Sequence, residues 1–240
     1  MDASRGAVVH PQGDVPRGER GIVRPFMWVA VGVLTIWAAH NALILPWEVR
    51  HIDDSVREPA LVLMRAVIWM VPVVLYLRRH DPRPRLVALG VASRIDRRGL
   101  AWSALGAVVY LFLVVQLLSA TTTPGNAPSR LATLTEVTVL SSMLACVLEE
   151  LLMRGFLLGQ LVRFTTSFRA QVSVAVLFGL VHLPGWIALD GVSINLLPST
   201  VMIMLLGAVL GGVARASNSI LPAILVHCAN NFLGAWLGGG

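Results

Sequence analysis

Long apolar runs, separated by short arginine-bearing links, set the pattern of this 240-residue chain. Seven runs stand out, at residues 26–46, 59–78, 99–120, 135–161, 170–185, 196–214 and 219–237. Most approach the ~20 residues a helix needs to cross the hydrocarbon of a bilayer; the fifth is short. Backbone polar groups in lipid must be satisfied within the segment, so runs of this length predict helices. The expected fold is all-α: a polytopic membrane protein with about seven transmembrane helices around an intramembrane polar cavity. Residues 1–24 are polar and rich in Gly, Pro and Arg, which predicts a disordered cytoplasmic tail. No secretory signal is expected, because the first apolar run is too long and no small-residue cleavage site follows it. Three transmembrane helices and their loops are expected over residues 25–133, and a second helical unit over 134–240. No internal repeat stands out.

Composition supports the membrane reading. The chain is 56% hydrophobic and only 13% charged, with a mean hydropathy of +0.74; soluble domains carry about a quarter charged residues. All 19 basic residues are arginine. A net charge of +6 and a pI near 10.9 could suggest nucleic acid, but the arginines crowd between the apolar runs, as in cytoplasmic loops of membrane proteins. No nucleic-acid partner is expected. Four arginines precede the first run, seven lie between the second and third (Arg78 to Arg98), Arg163 and Arg169 join the fourth to the fifth, and Arg215 joins the sixth to the seventh. The intervening loops hold Arg50, Arg57 and Arg130, the first two balanced by acids. This asymmetry predicts a multi-pass protein of the cell membrane with its N-terminus in the cytoplasm. The stretch from Arg83 to Arg98 reads equally as a basic segment along the inner surface or a solvated linker. Cys146 and Cys228 lie in apolar runs and read as small buried hydrophobes, with no disulfide framework implied.

Within the runs the ionisable residues are His40, Arg65, Glu136, Glu149, Glu150, Arg154, His182 and His227. His40 and its neighbour Asn41 are expected at the outer interface, Glu136 at the water-exposed start of the fourth run, and Arg65 snorkelling outward. The other five sit at depth, where a charge costs roughly 2.5–3.5 kcal/mol. Such groups usually face a bundle interior or a wet cavity, paired with one another. Glu150 and Arg154 are spaced i, i+4 and can pair on one helix face. Glu149 lies about 100° around the helix, free to point into a cavity. Phe178 and His182 repeat the i, i+4 spacing, as do His227 and Asn231.

These three motifs, E-E-x-x-x-R, F-x-x-x-H and H-x-x-x-N, fall in that order on successive apolar runs. Together they resemble one family, the CAAX prenyl protease and its bacterial relatives, intramembrane proteases also called CPBP or abortive-infection proteins. The resemblance covers about residues 135–235. It implies that the unit over 134–240 is the catalytic core, and that the chain is an intramembrane endopeptidase that hydrolyses a peptide bond with activated water. The candidate catalytic residues are Glu149, Glu150, His182, His227 and Asn231, of which the resemblance itself implies the first glutamate and both histidines. Glu149 is the candidate base, although spacing alone does not separate it from Glu150. His182 would hold or polarise the water, while His227 and Asn231 could donate toward one oxyanion. Glu150 and Arg154 would fix the helix as a structural ion pair, and Phe178 would belong to the pocket.

The sequence allows either a metal site or a metal-free one. Glu149, His182 and His227 could ligate zinc and leave a position for water, yet no H-E-x-x-H occurs. Relatives are often labelled metalloproteases, while the eukaryotic member resembles a glutamate-dependent hydrolase. Helix counting puts the polar groups in the middle to inner half of the membrane, which predicts substrates arriving from the cytoplasm or laterally. The expected partners are a peptide or membrane-protein substrate and the lipid bilayer. Competing readings are a transporter or proton relay, disfavoured by the lack of repeated halves, and a catalytically silent scaffold of the same fold.

Overall fold

The computed structural model describes residues 20–121 and 136–233, of which 86% are helical and none is in a strand. Residues 1–19 of the expected tail lie outside the described residues. All seven apolar runs form helices over their described residues. In chain order these are α1 (Arg20–Leu43), short α2 (Leu45–His51), α3 (Asp54–Arg65) running through a π-helical turn (Ala66–Met70) into α4 (Val71–His80), and one-turn α5 (Arg85–Ala88). There follow α6 (Arg97–Thr121), α7 (Glu136–Glu150), a second π segment (Leu151–Leu158) continuing into α8 (Gly159–Phe164), α9 (Ser167–Leu180), α10 (Leu183–Asp190), α11 (Leu196–Ser217) and α12 (Leu221–Leu233). Among the described residues, four helical stretches are long and apolar enough to cross a membrane: Gly21–Leu43, Asp54–His80, Ser167–Asp190 and Leu196–Ser217. The chain is a multi-pass helical membrane protein.

Local chemistry sets the boundaries. Asp53 caps α3 by accepting from the Ser55 backbone N–H at 2.9 Å. Thr166 caps α9 through the Arg169 N–H at 3.3 Å. Asn218 ends α11 in the left-handed region, with φ of 56°, a conformation its short side chain tolerates. The π turn at Ala66–Met70 stands just before Pro72, whose missing N–H and bulky ring disturb an α-helical ladder. The run expected to be one helix over 170–185 breaks at Val181 and His182, two residues before Pro184.

Helices alternate direction, so the arginine-bearing links gather at one end of the bundle. Asp81 accepts from Arg83 at 2.8 Å and from Gln160 at 3.4 Å. Arg215 donates to Gln171 at 2.8 Å, and Asn218 to the Arg94 carbonyl at 3.3 Å. The link from Arg83 to Arg98 is neither a surface helix nor a solvated linker throughout. Its arginines are exposed, but Ala88 and Leu89 are buried. The Leu89 carbonyl lies against Gly155, where a Cβ would approach it to 2.8 Å. At the opposite end, α10 packs across the end of α1 and against α2, close enough that a Cβ on Gly185 would touch Leu45 and Asn41 at 3.7 and 3.8 Å.

Candidate active site

Helix α9 lies closely on α11 because both present small residues at the crossing. A Cβ on Gly207 would approach the Ala175 Cα to 3.1 Å, the close backbone approach small residues allow in membranes. The bare Gly207 carbonyl is thereby left open to Arg154, whose Nη2 donates to it at 3.1 Å. Nη1 of Arg154 donates to Glu150 Oε1 at 2.8 Å, both side chains fully buried. The expected i, i+4 pair therefore forms, at the junction with the second π segment; such segments recur at functional sites.

A second bond converges on Glu150. His227 Nδ1 lies 2.9 Å from Oε1 of Glu150, and a carboxylate accepts, so Nδ1 carries the proton. The other ring nitrogen, Nε2, points to Glu149 at 3.7 Å. His182 is fixed by the same logic. Its Nδ1 lies 2.7 Å from the Phe178 carbonyl, which can only accept, so Nε2 presents a lone pair. Phe178 stands at the centre, edge-on to both imidazoles at 5.2 and 5.6 Å, with the Arg154 guanidinium 4.3 Å from its ring centroid. The three motifs thus meet around one buried ring.

Beside them is a cavity of about 200 Å³. Glu149, His182 and Phe178 line it, with Trp37, Asn41, Leu45, Arg65, Trp69 and Trp186 among the remaining wall. Five of its thirteen wall residues therefore come from α1, α2, α3 and the π turn after it, outside the motif-bearing region. Three expectations are corrected here. Arg65 does not snorkel outward: its Nη1 is 3.5 Å from Glu149, and its guanidinium lies 4.9 and 5.9 Å from the Trp37 and Trp69 centroids. Its Nε finds no acceptor among the described residues. His40 and Asn41 are buried rather than interfacial; His40 stacks on Trp37 and pairs with Glu48 at 3.3 Å. The cavity does not face the arginine-rich end, because its floor is buried Met153, Phe178 and Trp69 while exposed Leu189 and partly buried Leu45 and Trp186 form the rim at the other end.

The remaining site residues fall behind this wall. His227 is buried behind Glu149 and Phe178. Asn231 donates from Nδ2 to Cys146 Sγ at 3.1 Å and is not part of the wall, so it does not aim at a common point with His227. The cysteines are free. Two imidazoles and a carboxylate are donors of the right kind for zinc. Their spacing does not fit: among the described residues no three His, Cys, Asp or Glu side chains gather as a metal set. The second carboxylate is engaged by arginine and histidine.

Residues 131–233 match the model of the type II CAAX prenyl endopeptidase Rce1-like family. Over this stretch the chain is similar to the CPBP intramembrane proteases. The match contains all three motifs and every motif-borne side chain around Phe178, and it supports an intramembrane CAAX-type protease in general. Arg65 and Asn41 lie outside it. No curated protein and no solved structure gives a significant match.

Proposed function

We propose that the chain is an endopeptidase of the cell membrane, its N-terminus cytoplasmic, in which Glu149 activates water against a peptide bond. The reading is carried by one observation: Glu149 and His182 share a cavity wall with Arg65. Two acceptors, the Glu149 carboxylate and the His182 Nε2 lone pair, suit the two O–H bonds of a single water. A water held this way turns its own lone pair toward a substrate carbonyl. Glu149 takes a proton as the C–O bond forms, then returns it to the amine as the C–N bond breaks. His227, its Nδ1–H held by Glu150, orients Glu149 from behind, as a carboxylate-anchored imidazole does elsewhere. Arg154 offsets the charge of Glu150.

The oxyanion needs donors on the cavity side. Asn231 is engaged by Cys146, whereas the Arg65 guanidinium and the Asn41 amide belong to the wall. Arg65 is the stronger candidate, since it is cationic and already beside the base. Catalysis then requires both halves of the chain: residues 134–240 supply base and imidazoles, and 25–133 supply the oxyanion donor. Substrates are peptides or membrane proteins; prenylation is not required by anything in the wall.

The test is cleavage of a peptide panel by the purified protein, with Glu149→Ala and His227→Ala beside the wild type. Wild-type cleavage lost in both variants supports the site. Cleavage retained in both rejects it, and ion-coupled flux without cleavage would turn the reading toward transport.

A further inference from the structure

Among the described residues, the exposed part of the cavity wall lies toward the end of the bundle formed by α2 and α10, and the arginines indicate which side of the membrane that is. The links following α4, α8 and α11, together with the helix ends that flank them, carry ten of the 19 arginines. They are bound into one layer by the Asp81–Gln160 and Arg215–Gln171 bonds and by the Asp96 N–H to the Ser217 carbonyl at 3.0 Å. The opposite end, at α2 and the start of α3, has Arg50 and Arg57 against Glu48, Asp53, Asp54 and Glu58. Short links rich in arginine stay in the cytoplasm.

Cavity depth runs the other way. Met153 and Phe178 at the floor are 0% and 1% exposed, whereas Leu189 at the rim is 44% exposed. Beyond the rim, Val192 and Ile194 are 82% and 89% exposed. Trp47 stands exposed on α2, the level at which aromatic residues anchor to a membrane surface. A route from the arginine-rich end is blocked by packed backbone. The Leu89 carbonyl sits on Gly155, and the Gly90 carbonyl accepts from the Ile220 N–H and the Ser219 hydroxyl at 3.2 and 3.3 Å.

We propose that the cavity receives its substrate from the extracytoplasmic side, as a peptide segment at or beyond the outer membrane surface. This rests on the proteolytic reading of Glu149. At about 200 Å³ the space is smaller than the roughly 300–1,000 Å³ of drug-sized sites. With Trp37, Trp186 and Leu45 in the wall, it suits an extended stretch carrying an apolar side chain and excludes a folded domain. The substrate class is therefore a secreted peptide or the outward-facing tail or loop of a membrane protein.

The experiment uses the full chain in intact cells, with Leu189→Cys, Val192→Cys or Arg169→Cys introduced singly. A membrane-impermeant maleimide is the probe, and the unsubstituted chain gives the background of Cys146 and Cys228. Labelling of Leu189→Cys and Val192→Cys in intact cells, with Arg169→Cys labelled only after permeabilisation, is the expected result. The reverse pattern overturns the proposal, as does a Leu189→Cys that stays unlabelled while Val192→Cys reacts. If one variant fails to reach the membrane, Ile194→Cys reads the same face. The proteolytic reading fails separately, by absence of cleavage from solubilised protein, and labelling is unaffected by that outcome.

Discussion

The two ends of the helix bundle solve opposite problems with similar materials. At the arginine-rich end, charged side chains bond to one another and to carbonyls, and the backbone of Leu89 and Gly90 fills the space between helices. At the other end, charged and polar side chains are turned inward and incompletely paired. Arg65 approaches Glu149 only to 3.5 Å and leaves its Nε without an acceptor among the described residues. A buried polar group without a partner is costly. The sealed end avoids that cost. The open end retains it, as expected of groups whose partners arrive with a substrate. Glu150, Arg154 and Phe178 lie between the two and belong to both.

That middle layer gives the largest expected effect. Arg154→Met removes the cation from a fully buried carboxylate, so thermal unfolding in detergent should show a loss of roughly 3–5 kcal/mol. Replacing both partners, as Glu150→Met with Arg154→Met, should recover much of the stability while leaving His227 without its anchor, so cleavage should stay low. A double variant that regains activity would show that Glu150 serves packing alone.

At the open end, Arg65→Gln should leave the unfolding temperature nearly unchanged and slow cleavage by about 10²–10³-fold, the usual consequence of losing an oxyanion donor. Arg65→Lys should restore part of that rate. Unfolding of Arg65→Gln in step with its lost activity would make the residue structural. The sealed end should respond inversely. Gly155→Ala puts a Cβ 2.8 Å from the Leu89 carbonyl, an overpacking worth about 1–3 kcal/mol of stability, measurable by the same melt. Gly106→Ala, with nothing within 4 Å of its Cβ, should cost nothing.

The smallest effect is one of pH. Hydrogen bonds from Arg83 hold the Asp81 carboxyl below its usual range. Its contribution is present in full above the ordinary carboxylate value near pH 4 and is lost as pH falls through the lower folded value. For an ion pair in contact with water this is about 1 kcal/mol or less. Asp81→Asn should flatten the acid side of the stability profile.

Much of this architecture is legible in the sequence, and the reason is specific. The runs announce helices by length, and Glu150 with Arg154, Phe178 with His182, and Glu149 beside them announce a polar centre by spacing that survives folding. Three features escape such reading. Arg65 looks like a residue that can snorkel because its position on the helix is visible and the rings of Trp37 and Trp69 beside it are not. Asn231 shares a helix face with His227, but helical spacing does not disclose that Cys146 on α7 meets it first. Counting residues from helix ends measures depth without revealing that the link around Ala88 and Leu89 folds inward and stops one end. The tryptophans and Asn41 from the N-terminal helices bear no motif, so their share of the cavity wall is invisible until the helices assemble.

The most direct measurement is peptide cleavage by purified Glu149→Gln, a change that keeps the side chain's shape and removes its charge and its ability to take a proton. If Glu149 is the base, the rate falls by about 10²–10⁴-fold with the melt unchanged. Cleavage at the wild-type rate would mean that the carboxylate beside Arg65 does no chemistry and that the hydrolytic centre lies elsewhere.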